Sequence, residues 1–138
     1  MQRNLPPMRN LVPKKILIVD DDLVNIATMA QTLLRNGYQV VHATDEDRAF
    51  KATKKDKPDL IICNYESKKL DVRQLLKSIQ NARPSPGIPL LLITESGESL
   101  NEESGLLGPK QHLTKPFTRE QLTIAVQQNL KRLSPKRK

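Results

Sequence analysis

Three short apolar runs constrain this chain more than anything else: Ile16-Leu17-Ile18-Val19, Leu60-Ile61-Ile62-Cys63 and Leu90-Leu91-Leu92-Ile93. None alternates with polar residues, so each predicts a strand covered on both faces, as strands are in a parallel sheet. Parallel neighbours cannot be joined by tight hairpins. The chain between them must cross over, usually as a helix.

The intervening segments carry helical spacing. Leu23, Ile26, Ala30, Leu33 and Leu34 share one helical face, and Asn36-Gly37 supplies a stop. Gln39 to Ala43 reads as a second strand. Thr44 with Asp47 resembles a capping box opening a basic helix through Lys55. Arg73 to Ala82 predicts a helix burying Leu75, Leu76 and Ile79, ended by Pro84-Ser85-Pro86-Gly87. A further helix is expected within Glu98 to Leu107, interrupted by Gly105 and preceded by Gly97. A short strand, Gln111 to Thr114, leads into Lys115-Pro116. Thr118 with Gln121 then caps a last helix with inner residues Leu122, Ala125 or Val126, Leu130 and Leu133.

The order is βα five times, which predicts one doubly wound α/β domain with a five-stranded parallel sheet over residues 14–133. A chain of 138 residues is long enough to bury a core of that size without crosslinks. One cysteine excludes a disulfide framework, and one cysteine with two histidines cannot build a four-ligand zinc site. No apolar run approaches a membrane span, so the expected setting is cytoplasmic, with no membrane partner. The net charge of +8 would ordinarily point to nucleic acid. Yet residues 1–15 hold four bases and no acid, and residues 131–138 hold five bases and no acid. That leaves 14 bases against 15 acids between them. Segments 1–13 and 134–138 therefore read as flexible basic ends. Nucleic-acid binding through them is the lesser reading, because aromatics for base stacking are scarce.

In such a sheet, ligands gather at the carboxyl ends of the strands. Here those ends are Asp20-Asp21-Asp22, Asn64-Tyr65-Glu66, Thr94-Glu95 and Lys115. Two to three acids, an amide, a hydroxyl and a lysine are expected to converge. A helix cap would explain one of the three aspartates but not all of them.

With Lys15 to Asp22, the strand ending at Asn64, Ile93-Thr94 and Lys115-Pro116-Phe117 in order, the sequence resembles the receiver domains of two-component response regulators. The resemblance implies a flavodoxin-like fold. It also implies that Asp20 and Asp21 form the acidic pocket that would hold Mg²⁺, and that Thr94 and Lys115 sense a phosphoryl group, with His112 where an aromatic switch residue often stands. Hard oxygen ligands suit Mg²⁺, and an ammonium offsets phosphoryl charge. The position where the family carries its phosphoacceptor aspartate is Asn64.

That departure sets the functional expectation. A carboxamide has no anionic oxygen, and its nitrogen lone pair is delocalised, so it does not attack phosphorus. Losing one of three carboxylates also weakens Mg²⁺ binding. Ser67-Lys68 and Val72 stand where the family's Met-Pro and Gly follow the acceptor, and Glu95 replaces a small residue. The chain is thus expected to be a pseudo-receiver, not an enzyme, with no cofactor required and Mg²⁺ held weakly if at all. It would act by binding a protein, a histidine kinase or an output protein, or a second copy through the face of the fourth helix, fifth strand and last helix. The alternatives are a conventional phosphoacceptor using another residue such as Asp22 or Glu66, or Asn64 after its conversion, a polyanion-binding regulator, and a piece of a longer regulator.

Overall fold

The computed structural model describes residues 12–68, 70–82, 88–95 and 112–132. Five strands are seen: β1 Lys15–Val19, β2 Gln39–Ala43, β3 Leu60–Asn64, β4 Leu90–Thr94 and β5 His112–Thr114. They form one sheet in the order β2-β1-β3-β4-β5, and every pairing is parallel. The described helices are α1 Leu23–Arg35, α2 Glu46–Asp56, α3 Val72–Ala82 and α4 Arg119–Arg132. The helix expected in Glu98 to Leu107 lies outside the described residues, as do Gln111, Leu133, the side chain of Leu76 and most of both basic ends.

The apolar quartets behave as a doubly covered sheet requires. Leu17, Val19, Ile61, Cys63, Leu90 and Leu92 pack on one side with Ala49 of α2 and Leu75 and Ile79 of α3. Ile16, Ile18, Leu60, Ile62, Leu91 and Ile93 pack on the other with Ile26, Met29 and Leu33 of α1 and Leu122, Ala125 and Val126 of α4. Alternate residues serve opposite layers because strand side chains alternate. Each fully buried Leu or Ile contributes roughly 1.5–3 kcal/mol relative to exposure.

Local signals end the helices where the sequence implies, with three corrections. Asn36 caps α1, and Gly37 takes φ +91, the left-handed conformation that favours glycine. The Gly37 and Tyr38 amides then donate to the Leu34 and Leu33 carbonyls. At α4 the capping box is reciprocal: Gln121 N donates to Thr118 Oγ1 at 3.0 Å and Thr118 N to Gln121 Oε1 at 2.8 Å. The first correction concerns α2, whose cap is Asp45 rather than Thr44; its carboxylate accepts from Arg48 N at 2.8 Å. The second concerns α1. Ile26, Met29 and Leu33 are buried, whereas Leu23 and Leu34 are 63% and 58% exposed. At 100° per residue these two leucines sit about 90° round the helix from the buried three. The third concerns α4, where Asn129 is fully buried inside the apolar face; its Nδ2 donates to the Ala125 carbonyl at 2.8 Å.

Candidate functional site at the carboxyl edge of the sheet

Strand register alone assembles most of the site. Val19 pairs with Cys63 and Asn64 with Ile93, so the residue after β1, Asp20, lies beside the last residue of β3, Asn64. Thr94 pairs with Thr114, which places Lys115 next at the same edge. The Lys115–Pro116 peptide is cis.

Asp20 and Asn64 meet directly. Asp20 is 1% exposed and Asn64 8% exposed. Asn64 Nδ2 donates to Asp20 Oδ1 at 3.4 Å, and the Asp22 amide donates to the same oxygen at 2.9 Å. Asn25 Nδ2 donates to Asp20 Oδ2 at 3.3 Å. The other end of the Asn64 amide, Oδ1, accepts from Glu66 N at 3.0 Å. The orientation of Asn64 follows from these partners: the donor end faces the carboxylate and the acceptor end faces a backbone N–H. Burial pushes the Asp20 carboxyl above its ordinary value of 3.8, opposed by these donors and assisted by the neighbouring charge of Asp21.

The acidic triplet divides its labour. Asp22 is the N-cap of α1, and its Oδ1 accepts from Val24 N at 2.8 Å and Asn25 N at 3.4 Å. Asp21 is half-buried between them. Capping therefore explains Asp22, and Asp20 is the aspartate that meets Asn64.

On the far side, Thr94 is fully buried, with its hydroxyl 3.5 Å from that of Thr114. Lys115 makes no ion pair within 4.0 Å among the described residues. It faces Asp20 and Asn25 across a cleft of about 300 Å³ whose apolar walls include Met29, Ile93 and Phe117. Asn64 and Thr94 do not line that cleft. Half-buried His112 keeps its Nδ1 buried without a hydrogen-bond partner among the described residues.

The two loops flanking Asn64 are tied to each other. The Glu66 carboxylate accepts from Glu95 N at 2.9 Å, while the Glu95 side chain is exposed. Ser67 is half-buried. Two contributors escaped the sequence reading: Asn25, one turn into α1, and Thr114, opposite Thr94. An amide five residues past Asp20, at the third position of the following helix, was the signal for Asn25. Thr114 became visible only through the β4–β5 register.

Mg²⁺ takes one or two carboxylate oxygens and completes a near-octahedral shell mostly with water. Here Asp20 presents oxygens already accepting three hydrogen bonds, and the amide –NH₂ of Asn64, a donor, points into the acid pocket. Among the described residues no group of three His, Cys, Asp or Glu side chains is arranged to hold a metal ion. As arranged, this donor set does not fit the ion.

The chain belongs to the response regulator receiver domain family, whose pattern spans residues 16–127. Relatives include the alkaline phosphatase synthesis transcriptional regulatory protein PhoP of Bacillus subtilis, 33% identical over 120 residues, covering 86% of this chain and 49% of PhoP. The phosphate regulon transcriptional regulatory protein PhoB of Escherichia coli is 28% identical over 123 residues, covering 88% of this chain and 54% of PhoB. The chain thus spans about half the length of the curated relatives it matches. In three dimensions it is similar to the chemotaxis response regulator CheY4 of Vibrio cholerae, with a TM-score of 0.75 and 26% identity over 84% of this chain and 98% of that one. The five-stranded parallel sheet with its flanking helices is the flavodoxin-like fold of such domains. No described helix is long and apolar enough to cross a membrane.

Proposed function

We propose that this receiver domain is a pseudo-receiver, signalling through protein contacts without forming an acyl phosphate. The observation that carries the reading is the Asn64 amide, which is buried and donates to Asp20. A phosphoacceptor needs an anionic oxygen at that point, and this side chain offers the pocket an N–H instead. The donor also does part of what a divalent cation would do there: it adds a partner to a buried carboxylate that otherwise accepts only from the Asp22 amide and Asn25 Nδ2. Mg²⁺ is accordingly not required for folding and binds weakly.

Asp22 and Glu66, the alternative acceptors, each already accept a backbone hydrogen bond. Asp22 caps α1, and Glu66 holds the loop after β4. Thr94 and Lys115 stand at the positions of the phosphoryl-sensing pair but have no acyl phosphate to read. The partner is a protein of a two-component pathway, a histidine kinase or an output protein. The surface around His112 and α4 is the place to seek it.

Incubating the chain with a small-molecule phosphodonor and Mg²⁺, followed by intact-mass measurement, tests the reading. No phosphoryl adduct is expected on the natural chain, and Asn64→Asp is expected to acquire one. A stoichiometric adduct on the natural chain overturns the proposal.

A further inference from the structure

The cleft between α1 and the carboxyl edge of the sheet holds two opposite charges that do not meet. Asp20 lies at its back, almost fully buried, and half-buried Lys115 faces it. Neither side chain forms an ion pair within 4.0 Å among the described residues. A carboxylate and an ammonium that are withdrawn from water each gain from a counter-charge. The volume between them, about 300 Å³, is at the lower end of the range of about 300–1,000 Å³ found for ligand sites. That size suits a compound of amino-acid dimensions rather than a nucleotide.

Three acceptors belong to the acidic end. Asp20 Oδ2 takes only the 3.3 Å bond from Asn25 Nδ2, so it keeps a lone pair. Asn25 Oδ1 has no partner among the described residues. The Thr28 hydroxyl gives its proton to the Val24 carbonyl at 2.9 Å, which leaves its oxygen as an acceptor. Asn25 and Thr28 stand three residues apart on one face of α1, and both line the cleft. Three acceptors match the three N–H bonds of an ammonium group. The dipole at the first turn of α1 disfavours a cation, but the carboxylates of Asp20, Asp21 and Asp22 outweigh it. At the other end the Lys115 ammonium suits a carboxylate. Between the two ends the walls are apolar, from Met29, Ile93 and Phe117. A ligand carrying only an anion would meet Asp20 as well as Lys115, and one carrying only a cation would meet Lys115 as well as Asp20. A molecule with both signs leaves neither protein charge uncompensated.

We propose that this cleft binds a small zwitterion, an α-amino acid with an apolar side chain. Its ammonium sits among Asp20, Asn25 and Thr28, its carboxylate at Lys115, and its side chain against Met29, Ile93 and Phe117. The inference rests on the pseudo-receiver reading, in which Lys115 has no phosphoryl group to hold. Bound there, the amino acid ties α1 to the segment joining β5 and α4.

Titration of the full chain, followed by two-dimensional amide NMR, tests this with L-leucine, L-methionine and L-phenylalanine. The N-acetyl derivative and the methyl ester of each are run beside them. At least one free amino acid is expected to bind with a Kd below about 1 mM. Each derivative lacks one of the two charges and is expected to bind at least about tenfold more weakly. Lys115→Met should weaken the free amino acid by at least about tenfold but leave the ester unaffected, since the ester has no carboxylate for the ammonium to hold. The same spectra show whether the variant remains folded. Three results would each overturn the proposal. No free amino acid of the panel perturbs the cleft amides at about 10 mM, the derivatives bind as tightly as the free amino acids, or Lys115→Met weakens ester and free amino acid alike. Absence of binding together with absence of a phosphoryl adduct overturns this inference alone. An adduct on the natural chain overturns the pseudo-receiver reading and this inference with it.

Discussion

Replacing Asn64 by aspartate puts a second carboxylate against Asp20 with nothing between them. The donor that now faces Asp20 Oδ1 lies 3.4 Å away, so the incoming carboxylate oxygen would meet it at about that distance. Two unit charges so placed repel by about 5 kcal/mol at an effective dielectric of 20. The pair sheds part of this by taking up a proton, since burial already raises the Asp20 carboxyl. The lost charge-assisted hydrogen bond costs about 1.5–3 kcal/mol in its own right. A net destabilisation of about 2–4 kcal/mol at neutral pH is expected in chelator, which is roughly 6–15 °C in melting temperature for a domain of this size. Mg²⁺ reverses much of it, because three carboxylates now offer the hard oxygens the ion needs. At about ten times its dissociation constant it restores about 1.4 kcal/mol. The assay is thermal unfolding by circular dichroism of both chains, with chelator and with Mg²⁺. The natural chain should show no comparable Mg²⁺ shift. An Asn64→Asp protein as stable in chelator as the natural chain, or indifferent to Mg²⁺, would refute the argument that the amide stands in for a cation.

Four further outcomes follow from the same geometry. The Cys63 thiol, fully buried and pushed up to about 12 by desolvation with a smaller contribution from the Asp20 charge, should resist a thiol reagent in the native protein and react promptly in urea; prompt native reactivity would contradict that burial. Asp22→Ala removes the α1 cap and should cost about 0.5–2 kcal/mol in urea unfolding. Lys115→Met should change stability by no more than about 0.5 kcal/mol, because its ammonium makes no ion pair among the described residues; a larger loss would show that it holds the fold. The Asp20 carboxyl is raised in the folded state, so the fold binds its proton more tightly than the unfolded chain does. Its contribution is then greatest below 3.8 and is lost as pH rises through the folded value; Asp20→Asn should flatten the urea-midpoint slope over that window.

Much of this architecture is legible along the chain. Four-residue apolar runs have no exposed face to offer water, so they specify strands inside a two-sided sheet before any packing is known. Asn36-Gly37 and Thr118 with Gln121 mark helix ends by chemistry that depends only on near neighbours. The polar residues that terminate the strands likewise mark the edge at which Asp20 and Asn64 meet.

Other features resist such a reading for definite reasons. Leu23 and Leu34 count as core by spacing, yet the buried arc of α1 centres on Ile26, Met29 and Leu33, and only the angle at which the helix sits on the sheet selects between them. That angle also leaves the two leucines open to solvent. The spacing of Thr44 and Asp47 is no guide where two candidate caps adjoin, since the backbone turn chose Asp45 over Thr44. The residue types at the site, the Asn64 amide among them, were determined by the sequence alone. Which end of that amide faces Asp20, that Asn25 joins it, and that Glu66 fastens one loop to the next were decided only by tertiary structure. Each depends on strand register and loop course, which bring together groups up to 44 residues apart, and no local propensity encodes a meeting at that separation.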